Sequence, residues 1–197
     1  MTTVCLATED QLSEAVAEKL LISSGRGFQI DLRLGRKGSG YLRKKLPDFN
    51  NIAQNISPVL LLVDLDDKAC APALISQWSS EKALTKNLLF RVAVRETEAW
   101  LLADSQAFAD FLGISQARIP PEPETLADPK QTLLSLVKRS RHRRIRSEIL
   151  PEPGSTAQVG FGYNTILSQF VKDFWNPPRA ASTAPSLASA IARIENL

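Results

Sequence analysis

The period of the apolar positions changes repeatedly along this chain, and the changes predict its elements. Thr2 to Thr8 (TTVCLAT) reads as a first strand. Leu12, Ala15, Val16 and Leu20 then recur at helical spacing, behind Thr8 as a helix cap with Gln11 three residues on. From Gly27 to Leu34 the period drops to two: Phe28, Ile30, Leu32 and Leu34 alternate with Gln29, Asp31 and Arg33, which predicts a strand with one wet face near a sheet edge. Gly35 to Gly40 reads as a mobile basic loop. Leu42, Leu46, Phe49, Ile52 and Ile56 predict one or two helices, interrupted at Pro47. Val59 to Val63 is an unbroken apolar run, the pattern of a strand buried on both faces. A helix follows from about Pro72 to Trp78, then a fourth strand from Leu88 to Val94.

The second half is helical in pattern. Glu96 to Leu112 carries the strongest helical signal and ends at Gly113. Pro120 to Glu124 is loop. Asp128-Pro129 opens a further helix, with Asp as cap and proline at the first helical position, and Leu133, Leu134, Leu136 and Val137 follow it. Ile166, Leu167, Phe170 and Phe174 predict another helix, stopped by Pro177-Pro178, and a last one starts after Pro185. Strands separated by helices predict βαβ units and an α/β fold: a mainly parallel four-stranded sheet flanked by helices, with a helical C-terminal half. Residues 1–112 form the expected α/β core, and 113–197 a helical extension packed on it within one domain.

Composition narrows the class only slightly. The 197 residues can bury a core without staples, and 44% hydrophobic with 23% charged is ordinary for a globular chain. The apolar runs are far too short for a membrane span, and no secretion signal is expected at the N-terminus. Two cysteines, Cys5 and Cys70, make no disulfide framework, so a cytoplasmic location is expected. His142 is the only histidine, which leaves no basis for a His-centred triad, and no Walker-type phosphate loop is present.

Acids mark the ends of three of the four expected strands: Glu9 and Asp10 after the first, Asp64, Asp66 and Asp67 after the third, Glu96 and Glu98 after the fourth. In a parallel sheet those ends share the edge where such sheets bind ligands. Two bare carboxylates ~4 Å apart repel by about 4 kcal/mol at an effective dielectric near 20. A hard cation removes that cost, and oxygen-only donors point to Mg²⁺ or Mn²⁺. Glu9, Asp64 and Asp66 are the primary candidate ligands. Asp64 and Asp66 project to one side if the strand stays extended. Asp10 and Asp67 read as helix-cap or solvated loop residues, with Asp67 left to the turn. Glu96 and Glu98 face the same way in extended chain, but lie about 200° apart in a helix, where only one can serve. Asp104 reads as a supporting acid or a surface one.

Positive charge is segregated although the net charge is only +3. Lys138, Arg139, Arg141, Arg143, Arg144 and Arg146 fall within nine residues, and Arg33, Arg36, Lys37, Arg43, Lys44 and Lys45 surround the glycine loop. Such a surface suits a phosphate backbone, with Arg36, Lys37 and the run from Lys138 to Arg146 as expected nucleic-acid contacts. Cation-binding acids beside phosphate-binding bases describe a phosphoryl-transfer site, and Lys130 is a further candidate for phosphate contact. A solvated helix face is the alternative reading of the basic run. An Asp-x-Asp phosphatase of the haloacid-dehalogenase type, or a nucleotide-sugar transferase, is the alternative reading of the acids. The phosphatase is disfavoured because its nucleophile would follow the first strand.

The glutamate after the first strand and the Asp-x-Asp after the third resemble the Toprim fold, shared by topoisomerases, DnaG-type primases and the overcoming-lysogenization-defect nucleases. The resemblance matches Glu9, Asp64 and Asp66 to acids that bind Mg²⁺, and implies general acid/base work for Glu9. Thr8 to Ala15, Arg95 to Asp104, Asp128-Pro129-Lys130, Gly160-Phe161-Gly162-Tyr163-Asn164 and Ala184-Pro185-Ser186-Leu187 are similar to a Toprim-like family often encoded beside an ABC/SMC-type ATPase in antiphage defence loci. That likeness implies a Mg²⁺-dependent nuclease acting on DNA or RNA with such an ATPase, as a possible homo-oligomer, or else a non-catalytic regulatory module of the complex. Asp10 stands where many Toprim members carry glycine, and Ala7-Thr8 replaces the more usual apolar lead-in.

Overall fold

A computed structural model describes residues 2–197. The four strands are β1 (Thr3–Thr8), β2 (Gln29–Gly35), β3 (Val59–Asp64) and β4 (Leu88–Ala93), ordered β2-β1-β3-β4 and parallel throughout. The fold is the α/β class expected. β3 pairs on both sides, and its side chains alternate between two cores: Leu60 and Leu62 on one face, Val59, Leu61 and Val63 on the other. The uninterrupted apolar run therefore reflects burial from both sides. β2 lies at the edge, as expected, but its alternation does not define one apolar face: the register with β1 slips between Ile30 and Arg33, Leu32 is exposed, and Phe28 and Ile30 pack into one core while Leu34 packs into the other.

Helices cover the two faces unequally. Between β2 and β3, α2 (Gly38–Asn55) puts Leu42, Leu46, Phe49 and Ala53 on one face, joined there by Leu74 of α3 (Ala71–Ser79). The other face receives α1 (Gln11–Ser23) and the helices after β4: α4 (Thr97–Ala103), α5 (Ser105–Leu112), α6 (Pro129–Val137), α7 (Arg143–Ile149), α8 (Tyr163–Asp173), α9 (Pro177–Ala180) and α10 (Pro185–Glu195). Trp100 and Trp175 are buried there, and the Trp175 indole donates to the Trp100 carbonyl at 3.0 Å. The C-terminal helices share one continuous core with β1 and α1. No helix among the described residues is long and apolar enough to cross a membrane.

Several local expectations need correction. α1 is capped by Asp10, not Thr8: Asp10 Oδ1 accepts from the Ser13 N–H at 2.9 Å, and Ser13 Oγ accepts from the Asp10 N–H at 3.1 Å. The glycine segment is not a loop throughout, because α2 begins at Gly38 and runs unbroken through Pro47. Gly35 is needed for close approach, since a Cβ there would lie 2.2 Å from the Thr8 carbonyl oxygen. The strong helical pattern from Glu96 to Leu112 is two helices. They break at Asp104, whose carboxylate caps α5 by accepting from the Ala107 N–H at 3.3 Å. Asp104 is fully buried, takes the Asn176 N–H at 2.8 Å, and is gripped by Arg179 through two bonds of 2.5 and 2.8 Å. It is a fastener between α5 and α9, neither a surface acid nor a support of the strand-end site. Pro177 does not simply stop a helix but opens the short α9.

The segment Ala184 to Leu187 has a structural role. Ser186 Oγ accepts from the Trp100 indole at 2.8 Å and the Val94 N–H at 3.2 Å, and donates to Glu124 at 2.6 Å. It ties α10 to the exit of β4.

Candidate functional site

The carboxyl ends of β1, β3 and β4 lie side by side, and that edge carries the acids. Glu9 follows β1 directly, and its Oε1 accepts the Asp64 backbone N–H at 3.1 Å across the sheet. Asp64 closes β3. Its Oδ1 accepts both the N–H and the hydroxyl of Thr97, each at 2.8 Å, which fixes the carboxylate against the start of α4. Glu98, one residue on, is buried. Its Oε1 accepts the Tyr163 phenol at 2.6 Å and lies 3.8 Å from the Lys130 ammonium. Lys130 in turn sits 5.3 Å from the centre of the Tyr163 ring.

The electrostatics follow from this crowding. Burial, reinforced by Asp66 and Asp10, pushes the Glu9 carboxyl up to about 7, against the pull of the Asp64 N–H. Asp64 is raised well above the usual carboxylate range, first by burial and then by Glu98 and Glu9, although both Thr97 bonds oppose the shift. Burial, with Glu98 beside it, raises Glu96. Asp66 is raised by its own burial and by Asp67, with Lys130 and Lys68 opposing. The Tyr163 phenol is likewise raised, by burial and by the Glu98 carboxylate it serves. Tyr163 is therefore a donor held in its neutral form.

Glu9, Asp64 and Glu98 thus form the inner group. Asp66 does not follow Asp64 onto one strand face, because the strand ends at Asp64 and the backbone turns. The N–H groups of Leu65 and Asp66 both donate to the Arg95 carbonyl, at 2.9 and 3.0 Å. Leu65 is buried, and Asp66 takes the left-handed conformation at φ 51°, one that aspartate adopts more readily than most residues. Asp66 stands exposed at the mouth of the site. Asp67 is exposed in the following turn, closed by the Lys68 N–H to the Leu65 carbonyl at 3.1 Å. Glu96 is extended backbone and Glu98 is helical, so they part. Glu96 accepts the Lys130 N–H at 2.9 Å at the start of α6, which leaves Glu98 as the acid facing Asp64.

Of these acids, Asp64, Asp66 and Asp67 line a cleft of about 310 Å³ between α2 and α3, together with Arg43, Lys68 and Trp78, while Glu9 and Glu98 do not reach it. Among the described residues no three His, Cys, Asp or Glu side chains form a ready-made metal cage. The donor set nonetheless fits a hard divalent cation: it is oxygen-only, its acids raise one another's proton affinity, and Asp64 and Asp66 reach solvent through the cleft. Glu9 and Asp64 would hold such an ion, with Asp66 at the mouth and Glu98 behind.

The basic residues divide. Lys138, Arg139, Arg141, Arg143 and Arg144 are exposed where α6 ends and α7 begins. Arg146 is half-buried, its guanidinium bonded to the Ser140 carbonyl. Lys37 is exposed over the Tyr41 ring at 5.1 Å. Arg36 departs from expectation, because its guanidinium is bound to Glu14 by bonds of 2.8 and 2.5 Å. Burial would raise Glu14, but Arg36 and Arg33 overcome that and hold it below its ordinary value. Arg36 is thus part of an ion pair on α1, not a free phosphate contact.

Thr97 and Tyr163 had no functional role in the sequence reading. Thr97 lies within a recognisable segment, but nothing in its type announces a bond to Asp64. Tyr163 reaches Glu98 across 65 residues, a pairing no local spacing could reveal. Neither a curated protein nor a solved structure matches the chain. Residues 7–173, from the end of β1 to the end of α8 and so including every residue of the acid cluster, match the family described as a domain of unknown function, DUF4276, and the chain belongs to that family.

Proposed function

We propose that the chain is a Mg²⁺- or Mn²⁺-dependent nuclease of the Toprim type, the effector of an antiphage system working with an ABC/SMC-type ATPase in the cytoplasm. The observation that carries this reading is the convergence of Glu9, Asp64 and Glu98 at the carboxyl edge of the sheet, with Asp64 opening onto a cleft that also holds Arg43 and Lys68. A bound divalent cation would supply Lewis-acid stabilisation of the charge developing on the scissile phosphate. The chain's own residues supply the rest. Thr97 fixes Asp64, and the Tyr163 phenol fixes Glu98. Lys130 offers a positive charge beside Glu98, facing Asp66. In the ion-free protein Glu9, raised to about 7, can take or give a proton near neutral pH. Arg43 and Lys68 on the cleft, with the exposed cations from Lys138 to Arg144, would hold the flanking phosphates.

Purified protein with Mn²⁺ or Mg²⁺ should nick plasmid DNA or cut RNA, and Asp64→Ala should abolish cleavage with the fold intact by circular dichroism. Cleavage that survives Asp64→Ala sinks the assignment. A second reading, a non-catalytic Toprim-like module of the same complex, is favoured by the lack of a preformed metal cage among the described residues. Protein that is inert with every divalent cation, yet co-purifies with a neighbouring ATPase, would support that reading instead.

A further inference from the structure

We propose that Phe161 is a base-stacking residue, an exposed ring on a rigid mount between the basic helix α7 and the acid cluster that takes an unpaired nucleobase. The proposal rests on the nucleic-acid reading above for its ligand. Phe161 is fully exposed, more so than any other large apolar side chain described. Folding gains nothing from a phenylalanine in water, so its placement has no stability rationale.

The exposure does not come from a loose loop. Both flanking glycines are required by packing. A Cβ on Gly160 would lie 2.3 Å from the Glu148 carbonyl oxygen and 2.5 Å from that of Leu150. On Gly162 it would lie 2.3 Å from the Glu148 carboxylate and 2.8 Å from the Glu148 Cβ. Backbone bonds clamp the segment to the end of α7: Gly160 N–H to the Ile149 carbonyl at 2.8 Å, and Gly162 N–H to the Glu148 carbonyl at 3.0 Å. The chain is pressed against α7 on both sides of Phe161, and the ring is left pointing at solvent.

Its neighbours define the ligand. Tyr163, bonded to Glu98, is two residues away, a chain distance of at most about 7 Å. On the other side, Arg144 lies one helical turn before Glu148 on the same face of α7, with Arg143 and Arg141 exposed beyond it. The segment carrying the ring is bonded to α7 on one side and continues into Tyr163, the partner of Glu98, on the other, so it links the basic helix to the acid cluster. Aromatic rings in that position hold single strands by stacking, and duplex bases, already stacked, cannot use them. The Glu148 carboxylate packs against Gly162, and the exposed cations Arg141, Arg143 and Arg144 beyond it favour a nucleic acid over an apolar protein surface as the occupant.

The test is binding without cleavage: a labelled single-stranded oligonucleotide and its duplex, titrated in chelator with wild type, Phe161→Ala and Phe161→Trp. Phe161→Ala should weaken single-strand binding roughly 5- to 100-fold and leave duplex binding unchanged. Phe161→Trp should retain affinity, and its emission should be quenched by the single strand alone. Equal single-strand affinity of wild type and Phe161→Ala overturns the proposal, and so does an equal loss on both substrates. Selective loss of single-strand binding in a protein that cuts nothing with any cation supports the stacking role while removing the nuclease reading. Wild type that binds neither substrate removes both.

Discussion

At Glu9, fold and chemistry pull in opposite directions. Its carboxylate is pushed from an ordinary 4.5 to about 7 because burial and neighbouring acids penalise the charged form. The folded state then holds the proton more tightly than the unfolded one. Glu9's contribution to stability is complete below about 4.5 and is lost as pH rises through about 7. Glu9→Gln keeps the acceptor for the Asp64 N–H but removes the penalty. In metal-free buffer the variant should match wild type near pH 4.5 and exceed it by about 2–3 kcal/mol near pH 8, read from thermal melts. A variant no more stable than wild type at pH 8 would show that Glu9 is not desolvated. The acids themselves were legible in the sequence, because acid after an apolar run is a local signal. Which ones meet was not. Asp66 left the group through a backbone turn, and Glu98 displaced Glu96 because the chain becomes helical between them, so both outcomes depended on conformation at single residues.

Elements with one dominant period were read correctly from the sequence. The continuous apolar run of β3 follows from burial on both faces, whereas the alternation of β2 marks a strand but not its faces, because a register slip between Ile30 and Arg33 exposes Leu32 and turns Leu34 to the opposite core. The misreadings came where a tertiary partner overrides local preference. Pro47 sits inside α2 because the buried stripe from Leu42 to Ala53 holds the helix on both sides of it. The split between α4 and α5 needs Asp104, and Asp104 needs Arg179 and Asn176 from 72 to 75 residues away. Asp104→Ala removes the cap of α5 together with three charge-assisted bonds, and should cost roughly 2–4 kcal/mol in chemical denaturation. Asp104→Asn, which keeps an acceptor for the backbone N–H groups, should cost less. Equal losses would mean that the ion pair is irrelevant and the cavity dominates.

Across the whole molecule, the boundary near residue 112 separates sequence patterns but not folding units. β1, α1 and α4 share their core with α6, α8 and α10. A fragment of residues 1–112 exposes Leu20, Leu21, Trp100 and Phe108 at once and should show no cooperative thermal transition, whereas the full chain should melt in one step. A cooperative transition in the fragment would reveal an independent core. The acid cluster depends on the same integration, since Lys130 and Tyr163 come from the second half.

The unequal covering of the sheet has a dynamic consequence. One face is backed by a deep stack of helices, while the other is closed by α2 and α3 alone, and these two form the walls of the cleft over Asp64 and Asp66. Regions with few buried neighbours open at the lowest free energy. Amide hydrogens of α2 and α3 should therefore exchange with deuterium well before those of α1, α4 and α8, and a ligand filling the cleft should slow the first group selectively. Uniform exchange rates in the two layers would show that the thin face is no softer than the thick one. Faster exchange in α2 and α3 would place the acids on a rigid support beneath a compliant roof, with an entrance whose width changes while the spacing of the carboxylates does not.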